Sequence, residues 1–252
     1  AVMNDNGQAR TTLFRIANGA NFAGNTFDPL TLQPSKLEMT LTGEKSIGVF
    51  ATGKGSTVDT GEATFTVSGD GAAALLLEGG AEGTISDKTL IELTGSNTPA
   101  GIVDGQAHQL NGNKQNAPVE TILNSSAIIK SLDTGLNVIA YVAKNLGNIV
   151  LQQDAVIDLA SKDSIGVDVQ EGGRLTNNAS QALHVSNGIG VRASGKDAQI
   201  KKLGAIVVDD GTAGVLLTNG ATLNITTGTG GVADTITTNG TADGIRLAAG
   251  AG

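Results

Sequence analysis

Ser164-Ile165-Gly166-Val167-Asp168-Val169, Gly188-Ile189-Gly190-Val191-Arg192-Ala193 and Thr212-Ala213-Gly214-Val215-Leu216-Leu217 are three versions of one hexapeptide. Their anchor valines, Val167, Val191 and Val215, stand 24 residues apart in both steps. Self-similarity at that period signals a stacked-repeat architecture, in which each unit buries its apolar side against its neighbours. Looser copies lie on both sides: Ser46-Ile47-Gly48-Val49, Ala72-Ala73-Ala74-Leu75, Pro99-Ala100-Gly101-Ile102, Asn137-Val138-Ile139-Ala140-Tyr141 and Ala242-Asp243-Gly244-Ile245. Anchors at 49, 74, 102, 141, 167, 191, 215 and 245 give steps of 25, 28, 39, 26, 24, 24 and 30 residues.

Each step divides into three short apolar pieces of period two, separated by Gly, Asn or Asp, which is the pattern of short strands joined by tight turns. The step opened by Val167 holds Val167 and Val169, then Leu175, then Leu183 and Val185. Phe65 and Val67, Ile91 and Leu93, and Ile157 and Leu159 are third pieces of earlier steps. The expected fold is all-β: a parallel coil with three strands per rung and roughly nine rungs, a rod of about 45 Å at 4.7–4.9 Å per strand. A helix fails on the same residues, because Gly recurs where it would destabilise one by about 1 kcal/mol each time. Gly48, Gly101, Gly166, Gly190, Gly214 and Gly244 are expected at corners that demand positive φ. Residues 37–252 form the coil, with a polar loop inserted at 104–118; residues 1–36, which carry Phe14, Phe22 and Phe27, are expected to form an irregular first rung or cap.

Composition narrows the partners. The chain has 252 residues, 36 Gly, no Cys, no Trp and one Tyr, so small aliphatics must fill a narrow interior without disulfides. A net charge of −8 disfavours nucleic acid. No run approaches the roughly 18 apolar residues of a membrane span, so no membrane insertion is expected. Ala1-Val2-Met3-Asn4-Asp5 lacks the regions of a signal peptide, and the chain reads as a mature or excised segment of something longer.

The glycine-anchored repeats Gly188-Ile189-Gly190-Val191 and Thr212-Ala213-Gly214-Val215-Leu216-Leu217-Thr218-Asn219-Gly220-Ala221-Thr222-Leu223 resemble the passenger regions of autotransporter (type V secretion) proteins of Gram-negative bacteria, the pertactin-like and self-associating adhesins above all. The resemblance covers 37–252. It implies a right-handed parallel β-helix exported across the outer membrane and displayed on the cell surface. It also implies a role in attachment to host glycans or extracellular-matrix proteins, or to the same protein on another cell, with aggregation, biofilm formation and virulence as consequences.

No enzyme is expected. Gly53-Lys54-Gly55-Ser56 is a turn, and neither His108 nor His184 has a nucleophile elbow beside it. Gly69-Asp70-Gly71-Ala72-Ala73-Ala74 and Gly188-Ile189-Gly190-Val191-Arg192-Ala193 match a dinucleotide fingerprint in letters but lack a following helix, and Gly43-Glu44-Lys45-Ser46 lacks the upstream glycine of a P-loop. No cofactor or metal is expected. The alternative is a polysaccharide lyase or glycosidase using a pair drawn from Asp158, Asp163, Asp168, Asp209 and Asp210, whose carboxyl groups would stand about 5–9.5 Å apart. A spacer without binding is the remaining option.

Two surfaces stand out. Taking the residue after each early anchor as outward gives an apolar stripe of Phe50, Leu75, Val103 and Val142, which with His108, Asn111, Asn113 and Lys114 of the insertion is expected to receive a ligand. Arg174, Arg192, Lys196, Lys201 and Lys202 form a basic group suited to sulfated or carboxylated glycans.

Overall fold

A computed structural model describes residues 2–24, 26–27, 34–108, 114–115, 117–224 and 233–248 of this chain. Every regular element among them is a β-strand, and apart from two short antiparallel pairs, Thr26–Phe27 with Pro34–Ser35 and Ala107–His108 with Lys114–Gln115, the strands stack in parallel as a β-solenoid of about eight turns. Pairing follows three ladders. The first face runs from Thr12–Ala17 through Ile47–Thr52, Ala73–Glu78, Pro99–Asp104 and Ile139–Lys144 to Ala213–Thr218 and Asp243–Leu247. The second runs from Asn21–Ala23 to Thr222–Leu223, and the third from Val2–Asn4 to Thr235–Asn239. Two long strands, Val156–Val169 and Leu183–Ser194, serve the third face with their first halves and the first face with their second. The N-terminal strands Val2–Asn4, Thr12–Ala17 and Asn21–Ala23 each pair in parallel with the next turn.

The core is a stack of like on like. On the third face Leu41, Val67, Leu93, Ser131, Leu159, Val185 and Val208 are successive partners. The second face contributes Leu123, Ile149, Leu175 and Ile200 in the same way. All of these except Ser131 belong to one continuous apolar cluster. Full burial of a Val, Leu or Ile side chain contributes about 1.5–3 kcal/mol, and none of it is available to a single turn standing alone. Tyr141 is the largest fully buried side chain among the described residues. Its hydroxyl shares a 2.6 Å hydrogen bond with Ser125, and burial pushes its pKa well above the usual tyrosine value.

The glycines of the repeat hexapeptide work otherwise than the sequence predicts. Gly48, Gly101, Gly166, Gly190, Gly214 and Gly244 lie within first-face strands, and none has positive φ. What five of them lack is room. A Cβ at Gly190 would stand 2.4 Å from Ile206 and 2.6 Å from the Gly214 carbonyl oxygen, and one at Gly101 would stand 2.9 Å from the Tyr141 ring; Gly244, on the terminal strand, has nothing within 4 Å. The corner leading into the first face is turned instead by Lys45, Gly71, Asn97 and Asn137, all at φ between 54° and 66°. Asn tolerates that region because its short polar side chain bonds locally.

A second correction concerns register. Val49 pairs with Leu75, Leu75 with Gly101, and Gly101 with Tyr141, so the anchors expected at 74 and 102 are in fact 75 and 101. Leu75 and Val103 therefore point inward and are fully buried, whereas Leu76 and Ile102 face outward. Three consecutive alanines leave the frame undecided by hydrophobicity, and Gly101 holds an inward slot because the Tyr141 ring fills the space beside it.

Candidate binding groove

The outer side of the first face is apolar along most of its length. In the first-face strands from Ile47–Thr52 to Ala213–Thr218 two consecutive residues turn inward, a Gly or Ala followed by the anchor, as in Gly48-Val49 and Ala140-Tyr141. That double inward step separates two outward stripes. One runs Ile47, Ala73, Pro99, Ile139, Ile165, Ile189 and Ala213; the other runs Phe50, Leu76, Ile102 and Val142, then Asp168, Arg192 and Leu216. Ala73, Val142, Ile165 and Ala213 are buried, yet none belongs to the core cluster. Side chains hidden from solvent on the outside of a solenoid mark a concave surface.

The N-terminal end of this surface is a groove of about 300 Å³ lined by Arg15, Phe50, Leu76, Glu78, Ile102, Asp104, His108 and Lys144. Phe50, Leu76 and Ile102 stack as its floor, and the Arg15 guanidinium lies over the Phe50 ring at 5.2 Å. One wall is polar, because Glu78, Asp104 and Lys144 are successive partners two residues beyond the floor. Glu78 and Asp104 are 3 % and 1 % exposed. Glu78 accepts from the Thr52 hydroxyl, the His108 backbone N–H and His108 Nδ1, at 3.1–3.2 Å. Asp104 accepts from the Gln106 N–H and Asn145 Nδ2, both at 2.8 Å, and its second oxygen is 3.2 Å from Lys144 Nζ. A carboxylate can only accept, so the 3.1 Å contact fixes Nδ1 as the donating nitrogen of His108. The two acids thus hold His108 and Lys144 in the wall with their acceptor sites occupied.

Farther along, Ile139, Ile165, Ile189 and Arg192 line a depression of about 390 Å³, and Asp168, Arg192, Gln170 and Leu216 line one of about 550 Å³. Asp168 is fully buried and takes a bidentate pair from Arg192, Nε at 2.8 Å and Nη2 at 2.7 Å, with Gln170 Nε2 also donating at 2.8 Å. Such a two-bond fork adds geometric specificity as well as energy. It pushes the Arg192 pKa up.

Of the residues expected to bind, Phe50 and Val142 lie on the outward stripe and His108 lines the groove wall. Leu75 and Val103 belong to the core, and an aspartate at Leu75 would place an unpaired charge there. The insertion forms a short antiparallel pair, Ala107–His108 with Lys114–Gln115; Asn111 and Asn113 lie outside the described residues, and Lys114 is placed by its backbone alone. The sequence reading missed Leu76, Ile102, Glu78 and Asp104. The alternation of Leu75-Leu76-Leu77-Glu78 against Gly101-Ile102-Val103-Asp104 carries them once Gly101 is taken as the anchor.

The basic group is not one surface. Arg192 lies on the first face with Asp168, and Lys196 follows that strand at its corner; Arg174, Lys201 and Lys202 lie on the second face. Arg174 contacts Glu120 at 3.3 Å, and Lys202 donates to Asn178 at 3.0 Å. On the third face His184 sits between Asp158 and Asp209, with Nδ1 and Nε2 at 2.8 and 2.7 Å from their carboxylates. Among the described residues, no group of three or more His, Cys, Asp or Glu is placed to hold a metal ion, and no helix is long and apolar enough to cross a membrane. No family model, curated protein or solved structure matches the chain.

Proposed function

We propose that this chain is a non-catalytic adhesive rod, the surface-displayed passenger of an autotransporter. It attaches through the first-face groove to host glycans or matrix proteins, or to the same protein on another cell. The observation that carries this reading is the run of outward apolar side chains from Ile47 to Ala213, of which Ala73, Ile165 and Ala213 are buried yet lie outside the core cluster. A structural spacer needs only inward apolar residues, and a concave apolar surface repeated over several turns suits an extended partner. Many weak contacts along such a surface add up when molecules are displayed multiply on two facing cells. The expected winding of the rod remains right-handed, with three strands to the rung.

The test is attachment of the purified chain to immobilised glycans and matrix proteins, alongside light scattering against concentration for self-association. Ile139→Asp together with Ile189→Asp is expected to abolish whichever activity is found. Thr66→Asp, on the outer side of the third face, leaves it intact. Equal attachment by both variants would remove the outward stripe of the first face from the reading. Glu78 and Asp104 on adjacent strands favour one rival, glycan processing at that pair. Polysaccharide turnover that disappears in Glu78→Gln would establish that rival instead.

A further inference from the structure

The geometry points to the N-terminal end of the groove as a subsite for an amphipathic carboxylate, its apolar chain laid over Phe50, Leu76 and Ile102 and its anionic head held by Arg15. The inference rests on the first face being a binding surface and names the chemistry of one part of it. Three residues on successive parallel strands make a straight apolar track of about 10 Å, since neighbouring strands stand 4.7–4.9 Å apart. A straight track one residue wide in each strand, bordered by charge on one side, suits an unbranched chain.

Charge complementarity decides the head group. The groove holds two acids, but both are almost fully buried, and their oxygens are engaged by Thr52, His108, Gln106, Asn145 and Lys144. A cationic head would have to displace those donors. Arg15, by contrast, is exposed, stands on the stripe directly beside Phe50, and has no carboxylate within ion-pair distance among the described residues. Its planar fork matches a carboxylate in two hydrogen bonds while its face stays on the Phe50 ring. Lys144, whose ammonium has N–H donors beyond the one turned to Asp104, adds to Arg15 on the wall, so the accessible charged groups of the groove favour an anion.

The full chain is titrated calorimetrically with decanoate, decyltrimethylammonium and decanol, each below its aggregation concentration. Saturable one-to-one binding of decanoate, at least about tenfold tighter than either other compound, is expected. Arg15→Gln should weaken decanoate about tenfold, the factor for losing one charged hydrogen-bonding partner. Leu76→Asp should abolish binding with the circular dichroism spectrum unchanged, and Thr66→Asp should have no effect. Absence of saturable decanoate binding, equal or tighter binding of the ammonium compound, or an unaltered affinity in Arg15→Gln would each overturn the proposal. Decanoate binding in a chain that adheres to nothing would remove the adhesive reading and leave this subsite standing; adhesion without decanoate binding would do the reverse.

Discussion

Asp5 shows how one side chain ties the first turn to the second. Its carboxylate accepts from the backbone N–H groups of Thr42 and Gly43 and from the Thr42 hydroxyl, at 2.8–3.1 Å, and from the N–H of Gly7 at 3.0 Å. Burial pushes this carboxyl up, but the donors of Gly43, Thr42 and Gly7 outweigh it and hold the pKa at about 2, below the usual 3.8. A depressed folded-state value stabilises the fold above the unfolded value, and that contribution is lost as pH falls from near 3.8 towards 2. The shift corresponds to roughly 2 kcal/mol. Asp5→Ala is therefore expected to speed amide exchange at Thr42 and Gly43 strongly at pH 6 and little at pH 2; an equal effect at both would show that the charge is not its source.

At the scale of the element, neighbouring strands are bound by more than their backbone ladders. His184 links three of them, from Asp158 on Val156–Val169 to Asp209 on Ala205–Asp209, and Asn239 extends the chain by donating to Asp209 at 2.5 Å. Both imidazole nitrogens must carry protons to serve two carboxylates. Burial lowers the His184 pKa, but the bonds to Asp209 and Asp158 prevail and raise it above 6.5. The Asn239 and His184 bonds in turn hold Asp209 below the usual carboxylate range. A raised histidine value stabilises fully below 6.5 and loses its effect as pH climbs through the folded-state value. Thermal melts between pH 6 and 9 should show the native chain losing stability as pH rises, and His184→Gln should flatten that loss. A slope that survives in the variant would assign the effect elsewhere.

For the whole molecule, stability is a sum over neighbouring turns, and the same stacking distributes charge over separate faces. The five basic residues between Arg174 and Lys202 occupy two faces and a corner, with Arg192 committed to Asp168 and Arg174 to Glu120. A chain of net charge −8 that spreads its cations in this way should pass a heparin column at 0.15 M salt without retention. Retention abolished by Lys201→Glu with Lys202→Glu would show that the second-face lysines suffice.

The 24-residue steps, the period-two pieces and the acidic balance were enough to specify a parallel coil with an aliphatic core, because periodicity and burial are properties of the chain order alone. The alternation also put Phe50 and Val142 on the outward side of their strands, where the structure has them. Side-chain direction was decided by stacking wherever the local pattern was degenerate. Ala72-Ala73-Ala74 offers no contrast, and only the Tyr141 ring beside Gly101 settles that Leu75 and Val103 turn inward while Leu76 and Ile102 turn out. The role of the repeat glycines was likewise invisible in one dimension, since it depends on how closely the next strand and the opposite face approach. Glu78 meets Asp104, 26 positions on, and His108, 30 positions on, only because the winding of the coil pairs its strand with Pro99–Asp104; Asp104 and His108 themselves are four residues apart.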